Sequence, residues 1–193
     1  MPFDIASIRQ TTGIAPPWMV VYGTAGVGKT TFGSQAPNTV FIQTESGEGR
    51  LTLSAFPLAE SFDEVLSAIE TLITEDHEFE TLVIDSLDHL EPLIWRLVCS
   101  EQQIESIEKL GYGKGYVFAL DHWRKLVRAL TVLRNKKNMA IVLIAHTHIR
   151  KFESPDSDTF DRYEIKLHQK AASLMQESAD AVLFARHKII TKK

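Results

Sequence analysis

The sequence has a single cysteine, Cys99, so no disulfide can form within the chain. A lone thiol fits packing in a reducing compartment and argues against the disulfide-stapled secreted class. No apolar run reaches the roughly 18–20 residues that a membrane-crossing helix needs. The opening MPFDIASIRQ has neither the basic start nor the apolar centre of a secretory signal, so a cytoplasmic protein with no membrane partner is expected. Positive charge is not in excess either: 21 Lys and Arg stand against 25 Asp and Glu, a formal net charge of −4. That excludes a surface coated in basic residues and leaves any nucleic-acid contact to local loops and patches. Internal repeats and low-complexity linkers are absent. The 193 residues suffice for one domain with a sizeable core, and residues 1–193 are read as that domain.

What is present alternates between strands and helices. Short apolar strands are predicted at Trp18–Tyr22, Thr39–Gln43, Thr81–Asp85, Met139–Ala145 and Ala181–Ala185, the last of them buried, with a further alternating strand at Tyr163–Leu167. Helices are predicted from about Lys29, over Ser61–Thr74, over most of Leu87–Leu110, over Tyr116–Lys136 and at Ala171–Glu177. Ser61 and Glu64 have capping-box spacing, and Phe62, Val65, Leu66, Ile69, Leu72 and Ile73 fall on one stripe. Residues Thr147–Asp161 are polar and read as loop. Continuous apolar strands separated by helices predict an α/β fold, a mostly parallel central sheet with helices on both faces.

The strongest local signal is Gly23-Thr24-Ala25-Gly26-Val27-Gly28-Lys29-Thr30, followed by Thr31. It matches G-x-x-x-x-G-K-[ST] in full, after a predicted strand and at the opening of a predicted helix. Such a loop wraps phosphate oxygens with backbone N–H groups. Lys29 then reaches the β- and γ-phosphates of ATP, and Thr30 ligates Mg²⁺. Asp85, at the end of the strand TLVID, suits the carboxylate that holds Mg²⁺ through water. In many such enzymes a Glu follows that Asp and orients the attacking water; here Ser86 follows.

Several classes are set aside by what is missing. Asp85-Ser86-Leu87-Asp88 and Asn135-Lys136-Lys137-Asn138 each lack the last residue of the GTPase motifs D-x-x-G and N-K-x-D. There is no L-S-G-G-Q stretch of an ABC ATPase, no Arg-rich kinase lid, and neither the acidic neighbour nor the helical lid of an AAA+ module.

At this point the chain resembles the RecA-like core ATPases. In that family Ser commonly follows the Walker-B Asp, and the catalytic Glu ends the adjacent core strand. Phe41-Ile42-Gln43-Thr44-Glu45 looks like the F-I-D-A-E of bacterial RecA, so the resemblance assigns the water-orienting role to Glu45, with Glu48 the alternative and a mere turn-capping role the bland reading. His146, ending the strand Ile141–Ala145, takes the position of the γ-phosphate sensor, often Gln in the family. His146 and His148 also share one face of an extended segment and could bind a metal, but no third ligand is evident at useful spacing. The resemblance further implies a sensor strand lying between the Walker-A and Walker-B strands.

Four stretches narrow the resemblance: Tyr112–Tyr116 (YGKGY), Ile144–Ile149 (IAHTHI), Tyr163–His168 (YEIKLH) and Ser178–Phe184 (SADAVLF). Together they look like a family of phage-encoded, truncated RecA-like ATPases linked to recombination as single-strand annealing proteins, over about Trp18 to Arg186. Membership implies single-stranded DNA as partner, self-assembly into a ring or filament, and possible contact with a single-strand-binding protein.

RecA-like filaments bind DNA through two loops. The first corresponds to Gly111–Tyr116, where Tyr112 and Tyr116 offer stacking faces and Lys114 a charge; the alternative is that the tyrosines pack a turn. The second corresponds to Thr147–Asp161, with Arg150, Lys151 and Phe152 near its start. That segment also carries Glu153, Asp156, Asp158 and Asp161, which repel phosphate. On the long helix Arg124, Lys125, Arg128, Arg134, Lys136 and Lys137 read as solvated surface, or as a DNA or subunit contact. A basic residue completing a neighbouring subunit's site has candidates in Lys166, Lys170, Lys188, Lys192 and Lys193, none preferred. The leading reading is a DNA-dependent ATPase that promotes annealing or exchange. The alternatives are a helicase or helicase-loader motor, since the AD-x-V-x-F at Ala179–Phe184 also resembles DnaB, and a nucleotide-gated adaptor that hardly hydrolyses.

Overall fold

A computed structural model of the chain describes residues 13–46, 51–154 and 157–188. Glu48, Asp156, Lys192 and Lys193, named above, lie outside them. The elements run β1 (Trp18–Gly23), α1 (Lys29–Ser34), β2 (Thr39–Gln43), α2 (Phe62–Thr74), β3 (Thr81–Asp85), α3 (Leu87–Glu101), a 3₁₀ turn (Ile107–Leu110), α4 (Lys114–Lys137), β4 (Ala140–Ser154), β5 (Ser157–Ile165), α5 (Gln169–Ser178) and β6 (Ala181–Ala185).

The sheet order is β2-β3-β4-β1-β6, parallel throughout, with β5 paired antiparallel to β4. The sensor strand β4 lies between β1 and β3, the RecA-like order expected from the resemblance. The strand composition suits a sheet covered on both faces. Successive side chains point to opposite faces, and both sets are apolar. Val20, Ile84, Ile141 and Leu143 join the larger core beneath α2, α3, α4 and α5. Val21, Phe41, Val83, Val142 and Ile144 form a smaller core on the other face. There Gly33 of α1 packs against Val83 and Ile144 so closely that a Cβ would come within 3.2 Å of Val83.

The helix signals hold in detail. The Ser61 hydroxyl accepts from the Glu64 N–H at 3.2 Å, and the Glu64 carboxylate accepts from the Glu60 N–H at 2.7 Å. Asp180, just before β6, accepts from the Trp18 N–H at 2.9 Å and pairs with Arg134, which also donates to the Pro16 carbonyl. Arg134 and Lys137, which donates to the Glu75 carbonyl, therefore serve the fold. No helix among the described residues is long and apolar enough to cross a membrane.

The stretch Leu87–Leu110, expected to be mostly helical, is so: α3 runs to Glu101 and the 3₁₀ segment follows at Ile107–Leu110. Two expectations need correction. The segment read as loop, Thr147–Asp161, is a β-hairpin in which β4 continues to Ser154 and pairs with β5. Its stability comes from cross-strand contacts that a polar composition hides. Phe152 meets Phe160 with ring centroids 5.4 Å apart, and Arg162 lies over the Phe152 ring at 4.0 Å. Finally, β6 is not buried: Val182 and Leu183 are about 40% exposed, because β6 is the sheet's edge among the described residues.

Candidate nucleotide site

Register brings the C-terminal ends of four parallel strands into one row. Gln43 lies beside Asp85, Asp85 beside Ile144, and Gly23 beside His146. Open α/β sheets place ligands at this rim. The loop 23–28 leaves β1 there, and Gly26 and Gly28 adopt positive φ (73° and 97°), which turns the backbone around the space a phosphate would take. No Cβ-bearing residue adopts those angles without strain. Thr24, Ala25, Gly26 and Gly28 are exposed, Val27 partly so, and Thr31 is exposed on α1.

Lys29 is buried, and its ammonium donates to the Gly23 and Thr24 carbonyls at 3.1 and 3.0 Å. Burial lowers its pKa, while Asp85, Asp88 and Glu45 pull the other way. The Thr30 hydroxyl donates to the Asp85 carboxylate at 2.7 Å. A hydroxyl that donates its proton to a carboxylate keeps its lone pairs for a cation, so Thr30 and Asp85 fit a Mg²⁺ site. Burial raises the Asp85 pKa against the Thr30 hydrogen bond, and a cation there would restore the charged form.

Thr44 sets the position of Glu45. Its N–H donates to the Asp85 carbonyl at 2.9 Å, and its hydroxyl donates to the Ser86 carbonyl at 2.7 Å while accepting from the Ser86 N–H at 3.0 Å. These bonds latch the end of β2 to the end of β3, on either side of a cis Asp85–Ser86 peptide. The Glu45 carboxylate then meets His89 Nδ1 at 3.2 Å.

Two residues that the sequence reading did not single out complete the rim. Asp88, with a side chain only 2% exposed, accepts from the His146 N–H at 2.8 Å and contacts His146 Nδ1 at 3.0 and 3.2 Å. Burial pushes its pKa up, but the His146 N–H and imidazole outweigh that and hold it below the ordinary value. His89 also contacts the Ser86 hydroxyl at 2.9 Å. The available signal was spacing: both residues lie on the first turn of α3, three and four positions after Asp85. Sequence spacing offered no third ligand for the pair His146 and His148; in the fold Glu45 and His89, distant in sequence, come together with His146. His148 is not part of that group.

The other candidates lie apart from this cluster. Tyr112 is fully exposed on a left-handed backbone (φ 46°), and Lys114 is exposed at the start of α4. Tyr116 is instead packed, stacked on His168 with centroids 4.2 Å apart and edge-on to Trp95. Arg150 pairs with Glu164 at 3.6 Å, Lys151 faces Asp161 across the hairpin, and Phe152 lies beneath Arg162. Arg150, Lys151, Phe152, Arg162, Tyr163 and Glu164 line one groove. Lys166 Nζ comes within 3.9 Å of Asp88, which places it at this chain's own site.

Among solved structures, the chain is similar to the crystal structure of the RadB recombinase. The TM-score is 0.54 at 17% identity, over 89% of this chain and 76% of that one, a likeness of fold. No curated protein matches. A family model described as an AAA domain matches residues 15–193. With a RecA-like P-loop fold and a match over nearly its whole length, the chain belongs to the AAA_24 family of AAA domains.

Proposed function

We propose that this chain is a DNA-dependent ATPase of the recombination type, which binds single-stranded DNA and promotes strand annealing or exchange, in a phage setting and as an oligomer. The observation that carries the ATPase reading is the convergence at one rim of Lys29, the Thr30–Asp85 pair, Glu45 and His146. ATP and Mg²⁺ supply the phosphoanhydride and the charge that organises it. The chain's own residues do the rest. The loop 23–28 and Lys29 hold the phosphates. Thr30 and Asp85 hold the cation. Glu45 would serve as the base that orients the attacking water, and His146, held by Asp88 at 3.0 Å, would supply the polar group that senses the terminal phosphate.

The DNA reading draws on the exposed Tyr112 and Lys114 and on the groove beside Arg150, Lys151 and Phe152. A fold shared with a recombinase agrees with it. A second reading has its own observation: the contact of His89 with Glu45 holds the carboxylate, which suits an adaptor that binds ATP and turns it over slowly.

Glu45→Gln separates them. In a hydrolase the variant keeps ATP affinity and loses about 10²–10⁴-fold in turnover. Turnover unchanged by the substitution removes Glu45 from the reaction. Anisotropy of a labelled single-stranded oligonucleotide, with and without Mg-ATP over a salt series, tests the partner. Binding that strengthens with ATP and falls with salt is expected, and no binding in any state removes the DNA reading.

A further inference from the structure

The rim carries a second set of ligand-type atoms beside the Thr30–Asp85 pair. Glu45, His89 and His146 each present one atom, and these atoms all lie within 4.8 Å of one another. Glu45 Oε2 and His89 Nδ1 are 3.2 Å apart. Two ligands at about 2.0–2.1 Å from one tetrahedral Zn²⁺ are separated by about 3.3 Å, so this edge is already at ligand spacing. The His89 and His146 rings meet edge-on with centroids 5.9 Å apart.

The surroundings suit an ion as well. Asp88 has a side chain only 2% exposed, accepts from the His146 N–H and lies 3.0 Å from His146 Nδ1. With the proton on the Nδ1 of His146 that faces this carboxylate, the Nε2 lone pair is open to a ligand bond. A carboxylate behind a histidine is the usual support of a metal-bound imidazole. Glu45, Asp85 and Asp88 stand against the ammonium groups of Lys29 and Lys166, so the local balance favours a cation.

We propose that Glu45, His89 and His146 form a binding site for a borderline divalent transition ion of the Zn²⁺ class, with Asp88 orienting His146. Two imidazoles and one carboxylate select such an ion over Mg²⁺, which prefers oxygen alone, so the site is distinct from Thr30 and Asp85. Three protein ligands leave one position open for water or a phosphate oxygen. Glu45 and His146 also serve the hydrolysis reading, so a bound ion and that reading compete for them; the test is made without nucleotide so that failure of one is told from failure of the other.

The test is titration of the metal-stripped, nucleotide-free full chain with Co²⁺. It is read by the visible absorption of tetrahedral Co²⁺, by calorimetric stoichiometry and by displacement with Zn²⁺. One ion per chain is expected. His89→Ala, at a side chain 43% exposed, is expected to weaken binding by at least 10-fold, and Glu45→Gln likewise. Asp88→Asn is expected to weaken it about 10–100-fold. His148→Ala and Thr30→Ala are expected to leave it unchanged. Absence of the Co²⁺ spectrum, binding that survives both His89→Ala and Glu45→Gln, or binding lost in His148→Ala each overturns the proposal.

Discussion

Two buried carboxylates one turn apart on α3 end in opposite electrostatic states. Asp88 accepts the His146 N–H at the point where β4 leaves the core, and Glu91 accepts the His168 N–H, at 2.9 and 3.0 Å to its two oxygens, at the start of α5. Burial pushes both pKa values up. For Asp88 the backbone and imidazole donors of His146 outweigh burial, and the acid is held ionised. Glu91 has one shared N–H against burial plus the charge of Asp88, and its pKa is pushed up to about 7. Burial alone therefore does not set the charge of an acid; the number of donors aimed at it does. The well-supplied acid is the one beside the phosphate loop, and the poorly supplied one braces the fold behind it.

The largest expected effect breaks the Asp88 station. Asp88→Ala strips the partner from a buried N–H and from the His146 ring, and should cost about 3 kcal/mol in urea unfolding at pH 7. Asp88→Asn keeps an acceptor and should cost clearly less. Equal losses would mean that the charge contributes nothing. The sign at Glu91 is opposite. Its folded pKa of about 7 lies above the ordinary 4.5, so its contribution is fully present below about 4.5 and is lost as pH rises through about 7. Glu91→Gln should therefore stabilise the protein by about 2 kcal/mol at pH 8 and change little at pH 4.5. Asp88, with a folded pKa below the ordinary 3.8, contributes stability above that value and loses it in stronger acid. Unfolding measured across pH in the two variants separates these windows. A Glu91→Gln variant destabilised at pH 8 would show that its carboxylate is paired after all.

That contrast also marks what a sequence can carry. The phosphate loop was legible because glycines, Lys29 and Thr30 act through contiguous backbone, and the capping box of α2 for the same reason. Sheet order followed from the resemblance, and the uniformly apolar strands carried only the parallel, two-faced sheet. Asp88, His89 and Glu91 were not legible, because their roles depend on α3 laying its first two turns against β4, β2 and α5, a purely tertiary event. The hairpin was missed because its pairing rests on Phe152, Phe160 and Arg162 amid polar neighbours, and composition outweighed that alternation. The exposure of β6 was hidden because an apolar pentapeptide looks alike at the centre and at the edge of a sheet.

The smallest effect on stability sharpens the comparison at its far end, where Glu91 holds the N–H of His168 and His168 stacks on Tyr116. Tyr112 and Tyr116 are equivalent in sequence as stacking faces, yet only Tyr112 is free in the fold. Tyr116→Ala removes an aromatic pair and the packing beside Trp95, and should cost about 1–2 kcal/mol in unfolding. Tyr112→Ala should change stability by less than about 0.5 kcal/mol. If the turn meets DNA, it should instead weaken single-strand binding by an amount near the roughly 1–3 kcal/mol of one stacked base. Phenylalanine at position 112 should restore that binding, since stacking needs the ring and not the hydroxyl. Loss of binding in Tyr116→Ala with none in Tyr112→Ala would reverse the assignment, and would mean that the His168 stack opens to admit the strand.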